Sequence, residues 1–87
     1  MRNTILVFRT SVSSIRDVKR VSSMLDKCMQ IVVWSIDLED WEKVLRIECD
    51  KKLKPIDVSN MLKNVGIFIC ELAYLETEKI QSPNGKQ

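Results

Sequence analysis

Between Ile5 and Leu72 the spacing of hydrophobic residues switches repeatedly between the period of a strand and that of a helix. Few small folds accept such a succession. Ile5-Leu6-Val7-Phe8 is an unbroken apolar run of strand formers ended by Arg9-Thr10, which predicts a central strand covered on both faces. Ser11, Ser13 and Ser14 follow, each able to accept a hydrogen bond from the free amides of a helix's first turn. Ile15, Val18, Val21 or Ser22, Leu25 and Cys28 then recur at helical steps, with Arg16, Asp17, Lys19, Arg20, Ser23 and Lys27 between them.

From Ile31 to Asp40 the pattern becomes alternating, with Val32, Trp34, Ile36 and Leu38 in one phase, so a second strand with that face buried is expected. The polar cluster Glu39 to Lys43 breaks it, and Val44 to Cys49 resumes it, which predicts a hairpin with Leu45, Ile47 and Cys49 turned inward. Pro55 suits the first turn of a second helix carrying Ile56 or Val58, Met61, Leu62 and Val65, and Gly66 suits the left-handed residue that ends it. Ile67 to Leu72 is the last strand, continuing through Tyr74 and Leu75. The expected organisation is one domain over residues 1–75 and a flexible polar tail over 76–87, where Ile80 alone could be buried. Strand, helix, strand, strand, helix, strand makes two split βαβ units: an α+β, ferredoxin-like βαββαβ sandwich.

With 87 residues there is room for one core only. Hydrophobic content of 45% and charged content of 30% place the chain among ordinary globular domains. A net charge of +2 is too mild to argue for nucleic acid. No apolar run is long enough to cross a bilayer and the opening residues do not form a signal peptide, so a cytoplasmic setting is expected. Cys28, Cys49 and Cys70 are odd in number, widely spaced and without a Cys-x-x-Cys pair, and are expected to be free thiols acting as small hydrophobes. The chain has no histidine, no Gly-rich phosphate loop and no nucleophile beside a base. That argues against an enzyme. Asp37, Glu39, Asp40 and Glu42 lie in a turn too exposed to raise a carboxyl pKa toward acid catalysis.

The loop Arg9-Thr10-Ser11-Val12-Ser13-Ser14-Ile15, the stretch Val33 to Leu38 and Gly66 before a strand ending in Glu71-Leu72 together resemble the heavy-metal-associated domain, a small copper and zinc carrier module. That family's loop reads Met-x-Cys-x-x-Cys. Here Arg9 occupies the place of the methionine, Phe8 that of a glycine, and Ser11 and Ser14 those of the two cysteines. The resemblance implies an antiparallel sheet in the order 4-1-3-2 with two helices on one face. A serine hydroxyl stays protonated at neutral pH and is a hard donor, whereas Cu(I) selects thiolates, so no metal is expected at this loop and no cofactor elsewhere.

RNA-recognition motifs share the topology, but the third strand offers Lys43-Val44-Leu45-Arg46-Ile47-Glu48-Cys49 with no aromatic platform for bases. Small-ligand regulatory domains of the ACT type also share it, yet typically use a glycine in the first turn, which this chain lacks. The leading expectation is a non-catalytic protein-interaction module. The alternatives are a metal carrier coordinating through Cys28, Cys49 or Cys70 with Met24 or Met29, and a small-ligand regulatory domain. The candidate partner contacts are Trp41, either folded over the sheet edge or presented as an anchor, and the cations Arg9, Arg16 and Arg20. An anion near Ser11 to Ser14 would use the same helix end. A homodimer or another protein is expected over the outer sheet face, where Ile5, Val7, Val44, and Ile67 and Ile69 or their neighbours would form an apolar patch.

Overall fold

A computed structural model describes residues 3–76. Its elements are β1 (Asn3–Thr10), α1 (Ile15–Leu25), β2 (Ile31–Ile36), β3 (Leu45–Asp50), α2 (Pro55–Lys63) and β4 (Ile69–Glu76). The four strands make one sheet in the order β2-β3-β1-β4, with every neighbouring pair antiparallel. This is the ferredoxin-like βαββαβ plan. Glu76, the first residue of the expected polar tail, is the last of β4, and the rest of that tail lies outside the described residues.

The inward phase of β1 is Thr4, Leu6 and Phe8, and that of β3 is Leu45, Ile47 and Cys49; all are buried. They meet Val21 and Leu25 from α1, Val58 and Leu62 from α2, and Val12, Leu53 and Ile67 from the connections. Each of these apolar side chains contributes about 1.5–3 kcal/mol by leaving water. Both helices begin as their sequences indicate. Ser14 caps α1 by accepting the Asp17 N–H, and Pro55 opens α2 with the Asp57 carboxylate accepting the Lys54 N–H at 2.9 Å. Gly66 takes φ +79°, the left-handed residue that follows α2.

Three expectations need correction. Ile15, in the first turn of α1, is 62% exposed and not part of the buried stripe, and of the pair Ile56 or Val58 it is Val58 that is buried while Ile56 is 62% exposed. Val32 is out of the core because β2 bulges against β3 between Ile31 and Val33, so Ile31 and not Val32 joins Trp34, Ile36 and Leu38 on the inner side. One inserted residue reverses the phase of a strand. Ile67 is buried and Ile69 packs against the core, so of the alternatives at this place it is the neighbour Phe68, 61% exposed, that turns outward. Nor is that face a continuous apolar patch: its rows run Val33–Glu48–Ile5 and Ser35–Arg46–Val7, because alternation in β3 turns Arg46 and Glu48 outward.

Candidate functional site

At the end of β1 the chain is tied to two other segments. The Thr10 N–H donates to the Glu42 carbonyl at 3.2 Å and its hydroxyl to the Lys43 carbonyl at 2.8 Å, which fastens the β2–β3 hairpin to β1. Lys43 is held there at φ 51°, a left-handed conformation that costs a side-chain-bearing residue about 1 kcal/mol. Ser11 then forms a two-way link with Phe68: its N–H donates to the Phe68 carbonyl at 2.9 Å, and its hydroxyl oxygen accepts the Phe68 N–H at 3.0 Å. Val12 is buried and its N–H donates to the Thr10 hydroxyl at 3.2 Å. The β1–α1 loop, the hairpin and the segment before β4 therefore meet at one end of the sheet.

The serine hydroxyls at that junction are engaged. Ser11 holds Phe68. Ser14 accepts the Asp17 N–H at 3.3 Å, while the Asp17 carboxylate takes the Ser13 N–H at 2.9 Å and the Ser13 hydroxyl at 3.1 Å. The Ser13 N–H, its hydroxyl and the guanidinium of Arg20, 3.5 Å away, favour the ionised form of Asp17 and hold its pKa below the ordinary carboxylate value. The positive end of α1 thus already carries an anion from within the chain, which works against the expected capture of an external one.

Trp41 is presented and not folded back: it is 93% exposed at the tip of the hairpin. Arg9 joins it through Glu42, whose carboxylate lies 3.5 Å from the Arg9 Nε. Arg16 is exposed in the first turn of α1, and Arg20 lies a turn further along, occupied by Asp17. Arg9 and Trp41 therefore share the hairpin end, while Arg16 and Arg20 belong to the helix layer. Phe68, 61% exposed beside Ser11, belongs to the same end and was not among the sequence candidates. Its signal was faint: an aromatic residue out of phase with its inward neighbours Ile67 and Ile69.

The sulfur atoms do not gather here. Cys49 is buried on the helix side of β3 opposite Thr4, whose hydroxyl is 3.6 Å from its sulfur, and burial pushes its thiol pKa up. Cys70 is exposed on β4 opposite Arg9. Thr4 and Arg9 point to opposite faces of β1 and are separated along it by about 17 Å at a strand's rise. Cys28 is half-buried in the turn leading to β2, beside Cys49 and at the far end of the sheet from Ser11. Met24 packs against the core and Met29 is almost wholly exposed. Among the described residues no three His, Cys, Asp or Glu side chains are grouped to hold a metal ion.

No family model matches the sequence, and no curated protein does. Solved structures do resemble it. The apo form of the heavy-metal-associated domain of the copper chaperone for superoxide dismutase superposes with a TM-score of 0.70 at 15% identity, over 82% of this chain and 68% of that one. The fold is that of a heavy-metal-associated domain. The yeast copper transporter domain Ccc2a, solved in apo and Cu(I)-loaded states, gives a TM-score of 0.65 at 12% identity, over 84% of this chain and 97% of that one. At such identities the likeness concerns architecture, and chemistry has to be argued from the residues. No helix among the described residues is long and apolar enough to cross a membrane.

Proposed function

We propose that this heavy-metal-associated fold serves as a non-catalytic, cytoplasmic protein-interaction module whose β1–α1 loop has given up metal coordination. The observation that carries the reading is the use made of Ser11 and Ser14. Each hydroxyl is a hydrogen-bond acceptor for backbone, one for Phe68 and one for Asp17, and neither can present a thiolate. The contact surface is the hairpin end, where Trp41 supplies an indole free to be desolvated by a partner, flanked by Arg9, with Arg16 on the adjoining helix. An aromatic anchor beside arginine is the composition that concentrates binding energy at protein interfaces. The matching partner surface is an apolar pocket with an acidic rim.

The competing reading, a copper carrier using cysteines outside the loop, draws support from the nearness of Cys28 to Cys49. Competition for Cu(I) against a chromogenic chelator decides between them. The interaction module leaves the metal with the chelator. Stoichiometric Cu(I) retained by the wild type and lost when Cys28, Cys49 and Cys70 are all replaced by Ser establishes the carrier instead. In a pull-down from the native host, Trp41→Ala is expected to lose the partner at unchanged stability, since truncating so exposed a ring shifts stability by only about 0.5 kcal/mol.

A further inference from the structure

Among the described residues β2 is an open edge of the sheet, and its six residues, Ile-Val-Val-Trp-Ser-Ile, contain no charge and no proline. Edge strands usually carry such residues to prevent pairing with another chain. The bulge at Val32 is the single such device in β2, and it lies near one end, leaving Val33 to Ile36 regular. The direction of the unpaired groups follows from the ladder. Asp37 donates its N–H to the Val44 carbonyl at 2.9 Å, so Ser35 and Val33, two and four residues earlier in the same register, also turn their backbone groups toward β3. Trp34 and Ile36 therefore turn theirs toward the open side.

Both faces of this edge are hollow. On the helix side a cleft of about 320 Å³ is lined by Leu25, Asp26, Cys28, Ile31 and Trp34 among others. On the outer side a groove of about 190 Å³ runs between Ile5, Val33, Ser35, Arg46 and Glu48. A strand laid along β2 sends its side chains alternately into one hollow and the other. The charges in the outer groove are not locked to one another: Arg46 and Glu48 line it two residues apart on β3 without closing an ion pair among the described residues, and Glu48 is met by the Asn3 amide at 3.1 Å.

We infer that β2 pairs with β2 of a second copy, antiparallel and about a two-fold axis at Trp34, joining two four-stranded sheets into one of eight. This rests on the reading of the chain as an interaction module and names one partner. With the axis at Trp34, the Trp34 backbone groups of the two copies bond to each other. Val33 then lies opposite the second copy's Ser35, and the outer rows read Glu48–Val33–Ser35–Arg46 across the seam in both directions. Small Ser35 leaves Arg46 room to lean toward the opposite Glu48. An axis at Val33 would instead align the two Glu48 carboxylates, and one at Ser35 the two Arg46 guanidiniums. Charge therefore selects the register. On the helix side the second copy's Ile36, packed against its own core, comes opposite Val32 at the rim of the cleft.

Sedimentation equilibrium of the full chain tests this. A short edge joint predicts a reversible dimer with a dissociation constant on the order of 10–100 μM. Val33→Lys, at a position 55% exposed, adds a cation to a seam that already holds Arg46 and abolishes the dimer while the melting curve stays that of the wild type. Arg46→Glu and Glu48→Arg each raise the constant about threefold, since the charges face each other across three strand spacings, about 14 Å at the backbone, and the double exchange brings it back. A monomer throughout this range, or a dimer indifferent to Val33→Lys and to the charge exchange, overturns the inference. A monomer leaves the interaction module standing, whereas Cu(I) held at Ser11 and Ser14 removes the module and leaves the dimer, so the two failures are distinguishable.

Discussion

Placing sulfur in the loop gives the sharpest test of what the serines do. In Ser11→Cys/Ser14→Cys the loop carries two thiols, but a thiol is a weak acceptor, so the Phe68 and Asp17 amides lose their partners. Loss of an N-cap hydroxyl costs about 1 kcal/mol, and loss of one exposed hydrogen bond about 0.5–1 kcal/mol. The bonds end on different elements, so near-additivity is expected and the metal-free variant loses about 1–2 kcal/mol. For a domain of this size that lowers Tm by about 5–15 °C. With Cu(I) buffered at about a thousand times the dissociation constant, binding returns about 4 kcal/mol, and the variant then melts above the wild type. The N-terminus of α1 beside the second thiol and Arg9 beside the loop favour thiolates, which strengthens the effect. The assay is thermal unfolding followed by far-ultraviolet circular dichroism with and without a Cu(I) buffer. An unchanged metal-free Tm would show that the hydroxyls have no structural task. An equal Cu(I)-induced rise in the wild type that persists when Cys28, Cys49 and Cys70 are replaced by Ser would show that the serine loop itself holds the metal.

Gly66→Ala is expected to cost about 1 kcal/mol in chemical denaturation, because φ is +79° while nothing lies within 4 Å of the added Cβ, so the loss comes from the backbone alone; a neutral result would refute that assignment. Thiol labelling under native, reducing-agent-free conditions should find Cys70 fast, Cys28 slower and Cys49 reactive only on unfolding, and a fast Cys49 would contradict its burial. Stability should be level near neutral pH and fall as pH drops through the depressed pKa values of Asp17 and Asp26. The first is held down chiefly by the Ser13 N–H and the second by the Trp34 indole N–H, 2.8 Å away. Groups whose pKa is lowered on folding contribute above their unfolded values, near 3.9, and lose that contribution on acidification. Asp26→Asn should flatten this acid limb, as followed by Trp fluorescence, and an unaltered limb would show that the carboxylate–indole bond is not formed.

The parts of the fold that were legible from sequence are those in which local pattern and tertiary environment agree. Leu45, Ile47 and Cys49 alternate without interruption, and all three are buried. Pro55 opens α2 and Gly66 follows its end because the first helical position suits a residue without an N–H and φ +79° suits glycine. The misplacements have local causes that a period cannot express. Val32 failed because a bulge changed the phase of β2, and Ile15 because a helical period alone does not say that the first residue of α1 stays exposed. At the site, the cap formed by Ser14 was foreseeable from its position before an amphipathic stretch. The link between Ser11 and Phe68 was not, since 57 residues separate them and only the fold brings them together. The bond from Trp34 to Asp26 was hidden for a similar reason, spanning the turn between α1 and β2.

The shape of the β1–α1 loop does not depend on the side chains that a metal would need. Its course is set by Thr10 against the hairpin, by the Ser11 N–H against the Phe68 carbonyl, and by Val12 seated in the core. Replacing Val12 with Ala would remove about 1–2 kcal/mol of burial, as much as both serine hydroxyls together supply. A loop built this way can exchange ligands for caps at small cost, since 1–2 kcal/mol is a fraction of the 5–15 kcal/mol that holds a domain together. The same independence explains how identities of 12–15% with copper domains coexist with such a close match of architecture. The scaffold constrains the sheet, the helix caps and the junction at Thr10, Ser11 and Val12. None of these constraints calls for sulfur at positions 11 and 14, where the fold needs only a hydrogen-bond acceptor for the Phe68 and Asp17 amides.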